Sequence, residues 1–137
     1  MRATSALALL FVITGTGAAV HAADAEYAAG PLYGGGSSPG GVVTCRIYNF
    51  TTETVRLEAR QITDSAQTTK NVFDFDDCPK NLKLRSTGNC AFGLNIPGKL
   101  AYSCRVFVSG KDPRISGTLE TQKNQQILTV VPLSPMK

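Results

Sequence analysis

The fold class follows from one stretch of the chain, Val42-Val43-Thr44-Cys45-Arg46-Ile47-Tyr48. Apolar side chains occupy alternate positions along it, at Val43, Cys45 and Ile47. Successive side chains of a β-strand point to opposite faces, so this alternation predicts a strand with one apolar face and one polar face. The next strand is predicted around Val55, Leu57 and Ala59, and residues 50–53 are expected to join the two as a hairpin.

The same period of two returns along the rest of the chain, and no stretch of a dozen residues shows helical spacing. Further strands are predicted at residues 72–76, 82–85, 90–96, 102–109, 115–121 and 127–131. About seven to eight short strands separated by turn residues predict an all-β fold, a single antiparallel β-sandwich over residues 42–137.

The N-terminal residues have the pattern of a secretory signal peptide over residues 1–22. Arg2 precedes an apolar run, and Val20-His21-Ala22 offers small residues at a cleavage site, although cleavage after Ala25 also fits. The apolar run is too short to span a bilayer, so no transmembrane segment is predicted. Residues 23–41 are rich in Gly, Ser and Pro and are expected to form a flexible tail. The protein is therefore expected to be secreted or periplasmic.

Four cysteines follow the signal pattern, and an even number in an exported domain predicts two disulfides. Zinc is disfavoured because close C-x₂₋₄-C pairs are absent. Pairing of Cys90 with Cys104 is disfavoured if residues 97–99 form a hairpin, although the two strands could also belong to different sheets. The favoured pairs are Cys45–Cys104, which joins two inward strand positions, and Cys78–Cys90, which is a local link.

Tyr102-Ser103-Cys104, with Cys45 placed 59 positions earlier, resembles the tyrosine that stands two residues before the second disulfide cysteine of immunoglobulin-type sandwiches. The resemblance covers residues 42–109 and implies an immunoglobulin-like architecture. The chain departs from the family's pattern because it has no Trp to pack against the disulfide. The resemblance implies no particular function, because sandwiches carry many.

The chemistry-bearing residues argue against catalysis. The one histidine, His21, lies in the predicted signal, so no Ser-His-Asp or Cys-His pair remains after cleavage. No cofactor motif is present, and no cofactor or transition metal is expected. The formal charge of +4 is diffuse and lacks interleaved aromatic residues, so nucleic acid is not an expected partner.

Two short polar motifs can each be explained either by a binding or modification site or without any function. Asp74, Asp76 and Asp77 form a carboxylate cluster that could bind calcium or could be a solvated strand end, and the second interpretation is favoured. Asn49-Phe50-Thr51 is a glycosylation sequon, which is treated as incidental because three-residue motifs often occur by chance.

A candidate partner-binding segment lies between Cys78 and Cys90. It contains Lys80, Lys83 and Arg85 and no acidic residue. A segment closed by a disulfide is preorganised, so it could contact an anionic envelope component or protein, or it could be a lysine-protected edge strand. The predicted function is a non-catalytic interaction or structural module of the cell envelope. The alternative is a secreted inhibitor of a hydrolase, which needs a protruding rigid loop.

Overall fold

A computed structural model describes residues 24–33, 41–96 and 100–137. The predicted signal peptide, residues 1–22, lies outside the described residues. Within these ranges the chain forms eleven β-strands in two antiparallel sheets and no helix. Nor do they include any helix long and apolar enough to cross a membrane.

Seven strands are seven residues long or longer, and four have two residues each. The strands are β1 (Ala25–Tyr33), β2 (Gly41–Tyr48), β3 (Val55–Asp64), β4 (Thr69–Lys70), β5 (Phe75–Asp76), β6 (Lys83–Leu84), β7 (Asn89–Ile96), β8 (Ala101–Ser109), β9 (Ser116–Lys123), β10 (Gln126–Pro132) and β11 (Ser134–Pro135). The eight strands predicted from the sequence correspond to eight of these eleven, and β1, β4 and β11 were not predicted.

The strand order defines the two layers. The first sheet has the order β11-β1-β8-β3-β4, and β6 also pairs with β3. The second sheet has the order β10-β9-β2-β7-β5. All pairs are antiparallel. The architecture is that of a β-sandwich.

The core lies between the sheets, where the alternating apolar residues of both meet. Val43, Cys45 and Ile47 on β2 are almost fully buried, as the sequence pattern predicts. Cys45 bonds to Cys104 on β8, with Cα atoms 6.2 Å apart, so this disulfide joins the two sheets at their centre. Other buried apolar residues come from both layers, namely Leu57, Ile62, Leu84, Phe92, Val106, Val108 and Leu119.

The chain crosses between the layers at two places where sequence alternation suggested hairpins. The predicted β2–β3 hairpin is wrong, because β2 lies in the second sheet and β3 in the first. β7 and β8 also lie in different sheets, which is the second of the two arrangements considered above. In each case both strands direct their apolar faces into one shared core, which a crossover allows.

The prediction of a flexible tail over residues 23–41 is wrong for residues 25–33, which form β1. This strand pairs with β8 on one side and with β11 on the other. Tyr27, Ala29 and Leu32 are buried in the core. Burial of these side chains and pairing of the backbone on both sides offset the entropy cost of ordering the segment. Residues 34–40, the Gly-rich remainder of the predicted tail, lie outside the described residues.

Candidate interaction surfaces

Strand β10 is the long edge of the second sheet. It forms a hairpin with β9 through Asn124 and Gln125, which have φ angles of 49° and 65°. Positive φ at both central residues is the geometry of a type I′ turn, which matches the twist of a hairpin. Within the part of the chain that the structure describes, β9 is the only strand paired with β10. The outer backbone edge of β10 is therefore unpaired there.

The side chains of this edge strand are unusually apolar for an exposed position. Ile127, Leu128 and Val130 are 55%, 50% and 47% exposed. No residue from 124 to 136 is charged. Natural edge strands are commonly protected by charged side chains, proline or extreme shortness. β10 has a proline only at its last position, Pro132.

The other sheet edges have the protection that β10 lacks. β4, β5 and β11 end the two sheets elsewhere and contain two residues each. Lys70, Asp76 and Pro135 lie within them. Of the described strands that stand last in a sheet, β10 is thus the one that is long and uncharged.

The sequence prediction placed a strand at residues 127–131 but did not identify it as a binding surface. The available signal was the run Ile127-Leu128-Thr129-Val130-Val131, which lacks the alternation of a half-buried strand. From the sequence alone, such a run fits a strand buried on both faces as well as an apolar strand exposed at the edge of a sheet. The structure distinguishes the two cases by placing the strand at an edge.

The basic segment between Cys78 and Cys90 is closed by a disulfide with Cα atoms 4.7 Å apart. The two disulfides are the pairs that the sequence favoured. Lys80, Lys83 and Arg85 are all exposed, and none of them forms an ion pair within the described ranges. The structure therefore leaves three positive charges on one closed segment without an acidic partner there.

Asn49 holds this basic segment against the body. Its side chain is fully buried, and its amide nitrogen donates to the carbonyl oxygens of Glu53, Leu84 and Arg85 at 2.8, 2.9 and 3.0 Å. Its Oδ1 accepts from the backbone N–H and hydroxyl of Thr51. Because all of these groups are internal, the sequon asparagine is a structural residue in the folded protein.

The segment's backbone is bonded to the body at further points. The amide of Leu57 donates to the carbonyl of Leu82, and the amide of Asn49 donates to the carbonyl of Gly88. Lys83 and Leu84 form β6, which pairs with β3. A segment bonded in this way along its length lies on the surface of the sandwich and does not protrude from it.

The three aspartates of the carboxylate cluster each bind a different group of the protein. Asp74 accepts a hydrogen bond from the backbone of Asn95 at 2.7 Å, and Asp77 accepts one from the backbone of Ala91. Asp76 pairs with Arg60 at 2.6 Å. Each carboxylate thus has a structural role in positioning β5 and its neighbours.

Asp77 also lies close to the sulfur atoms of Cys78 and Cys90. Cysteine binds metal as a thiolate, whereas these two sulfurs are bonded to each other. In the disulfide form, Asp77 is therefore the one charged ligand of this group, and the group does not make a metal centre.

A wide cavity of about 780 Å³ adjoins Lys83. Its charged residues include Arg56 and Glu58, which form an ion pair of 3.3 Å. Glu58 also accepts a hydrogen bond from the hydroxyl of Ser109. Asp24, the other carboxylate of the lining, accepts a hydrogen bond from the amide of Gly110 at 2.9 Å.

No protein-family model matches this chain, and no curated protein or solved structure is significantly similar to it. Its function is therefore inferred from the geometry of its own residues.

Proposed function

We propose that this protein is a non-catalytic, exported interaction module that binds an extended polypeptide segment by adding it to the free edge of β10. One observation carries the proposal: a seven-residue edge strand with uncharged, exposed side chains and an unpaired backbone edge. In strand addition the main-chain hydrogen bonds give affinity, and contacts to alternate side chains give specificity. Export is part of the proposal, because two disulfides suit an oxidising compartment such as the periplasm or the exterior.

The proposed fold type is immunoglobulin-like, with its two terminal strands exchanged. If β2 and β8, which carry the central disulfide, are strands B and F, then β3, β5 and β7 correspond to C, D and E. The position of strand G beside F is then filled by β1, and the position of strand A beside B is filled by β9. β10 extends this sheet by one strand, which supports a role as an added recognition edge.

Selection from a random-peptide library tests the function directly. The bait is the protein as recovered after export, with its disulfides intact. Bound peptides should carry alternating apolar residues and should slow hydrogen exchange at the amides of residues 127–131. Val130→Lys, which places a charge on the edge, should weaken their binding at least about tenfold.

The matched control is Val72→Lys. Val72 is 80% exposed and lies between β4 and β5, so its substitution adds the same charge at a different place. It should leave peptide binding unchanged. Peptides that bind Val130→Lys as tightly as the wild type would contradict recognition by β10.

A second surface, the basic segment, supports contact with an anionic envelope component. Lys83 and Arg85 are exposed on a segment whose backbone is held in place, so a partner would meet charges that are already positioned. Because surface charges act through screened attraction, binding of this kind weakens with salt. The inhibitor alternative receives less support, since the segment does not protrude.

Vesicles of phosphatidylglycerol and of phosphatidylcholine test this second surface. Binding to the anionic vesicles should fall with salt and should be lost in the Lys83→Ser/Arg85→Ser variant. The control is Lys111→Ser/Arg114→Ser, which removes the same charge from residues that pair with Glu53 and Asp112. Equal loss in both variants would point to net charge and would contradict a specific role for the basic segment.

A further inference from the structure

We propose that the polypeptide bound by β10 is a second copy of β10, so that two molecules pair their edge strands antiparallel around a two-fold axis. This inference rests on the proposed function, because it names the partner of the same edge. The result would be one continuous sheet of ten strands, five from each molecule. Isologous pairing of this kind is the commonest symmetry of homodimers.

Side-chain faces determine the register. Opposite residues in an antiparallel pair share a face. Thr129 and Val131 lie opposite Thr121 and Leu119. These two residues lie opposite Val43 and Cys45 of the core, so Thr129 and Val131 point to the core side. Val130 lies opposite Glu120 and points to the outer side.

A two-fold axis through Val130 places each residue of the strand opposite a residue on the same face of the sheet. Val130 then meets its symmetry mate on the outer side. Thr129 meets Val131 of the other copy on the core side, and the reciprocal pair repeats this contact. β-branched residues are favoured in strands, and cross-strand pairs between them stabilise a sheet. Val131 already packs against the core, so the second copy would extend the core layer across the interface.

The absence of charged residues on β10 also favours the pairing of two copies of this strand. Two copies of one strand place like residues near each other, so a charged edge would repel itself. Residues 124–136 contain no charge, and the nearest charged residue on the hairpin is Lys123, which lies on β9, one strand further from the interface. Self-pairing of β10 therefore brings no like charges into opposition.

A bulge limits the size of this contact. The pairing of β10 with β9 shifts register between Ile127 and Thr129 and leaves Leu128 unpaired in the hairpin. The regular part of the edge is consequently Thr129–Pro132. A short contact implies a weak, concentration-dependent dimer, since stable interfaces usually bury at least about 1,000 Å².

Sedimentation equilibrium of the exported protein at about 5 to 500 µM tests the inference over the range of weak interfaces. The mass should rise from monomer to dimer with concentration. Val130→Lys should raise the dissociation constant at least about tenfold, and Val72→Lys should leave it unchanged. Thermal unfolding followed by circular dichroism verifies that each variant is folded.

A second test uses only the wild-type protein and compares its hydrogen exchange at the lowest and the highest of these concentrations. Amides of residues 128–131 should exchange more slowly at high concentration. A monomer at every concentration would overturn self-pairing, and the peptide selection above would then show whether another polypeptide binds the edge. A dimer that persists in Val130→Lys, or protection confined to residues 80–85, would also overturn it.

Discussion

Arg60 on β3 and Asp76 on β5 form an ion pair of 2.6 Å that joins the two sheets. The guanidinium carbon of Arg60 also lies 5.4 Å and 5.2 Å from the ring centroids of Phe73 and Phe92. Burial raises the pKa of the Asp76 carboxyl, but hydrogen bonds from Arg60 and from the amide of Cys78 outweigh it, so the pKa lies below its usual value of 3.8. The charged form of Asp76 is therefore the form that the folded state favours.

Asp76→Asn should lower the free energy of unfolding at pH 7 by about 1 kcal/mol, the size expected of a partly exposed pair. The lowered pKa means that ionised Asp76 stabilises the fold above about pH 4 and that this contribution is lost as the pH falls through the folded-state pKa. Urea unfolding between pH 7 and pH 2 should therefore show that the variant loses less unfolding free energy on acidification than the wild type. Parallel pH profiles of variant and wild type would contradict the coupling.

The two disulfides should differ in their effect on stability. Cys45–Cys104 closes 59 positions of sequence and Cys78–Cys90 closes 12. Loop-closure entropy predicts losses of about 4 and about 3 kcal/mol when each pair is replaced by alanine. The loss of stability on replacing Cys45 and Cys104 should exceed the loop-closure value, because both residues are fully buried and their replacement leaves a cavity. Denaturant unfolding of the two double variants checks the order, and the reverse order would contradict it.

Asn49→Ala should lower the free energy of unfolding by about 3 kcal/mol, because three carbonyl oxygens and the Thr51 amide lose a buried partner. Asn49→Asp should lower the free energy of unfolding further at neutral pH, since a carboxylate would face those carbonyl oxygens. Acidification should restore part of this second loss by protonating the carboxylate. Asn81→Ala is the control, because Asn81 is exposed and accepts one hydrogen bond. Similar unfolding midpoints for the variants at 49 and 81 would refute the structural role.

The proposal of export predicts a mature chain that begins at Ala23. Both cleavage positions fit the signal pattern, but the structure favours the first. The amide of Asp24 donates to the carbonyl of Val108, and its carboxylate accepts from the amide of Gly110 at 2.9 Å. Cleavage after Ala25 would remove Asp24 and the first residue of β1. Intact-mass measurement of the secreted chain checks this, and a protein that begins at Glu26 or retains Met1 would contradict it.

Sequence alternation predicted which residues face the core but not which sheet each strand joins. Val43, Cys45 and Ile47 could be assigned because each strand of a sandwich is apolar on one side. The partner strands could not, because β2 and β3 have the same alternation whether they form a hairpin or cross between layers. Asn49, which follows β2, donates to the carbonyls of Leu84 and Arg85, and the alternation within β2 and β3 does not reveal such distant contacts.

The strand β1 and the exposed edge of β10 were not predicted, for different physical reasons. In β1 the pair Gly30-Pro31 interrupts the alternation, and the pairing with β8 shifts register between Ala29 and Leu32. A segment rich in Gly and Pro then looks like a linker, although Tyr27 and Leu32 are buried. In β10 the strand itself was predicted, but its exposure follows from its place at the edge, which tertiary structure alone determines.

The position of β1 has a consequence for the order in which the protein folds. β1 is the N-terminal strand of the part of the chain that the structure describes, yet it pairs with β8 and β11, and Tyr27 lies opposite Pro135. Contacts so distant in sequence form slowly, because the entropy cost of closing so long a loop precedes the stabilisation that the contacts give. β11 therefore cannot complete the first sheet until the last residues of the chain have left the ribosome. We expect the edge of β1 that β11 covers to stay open until synthesis of the chain is nearly complete.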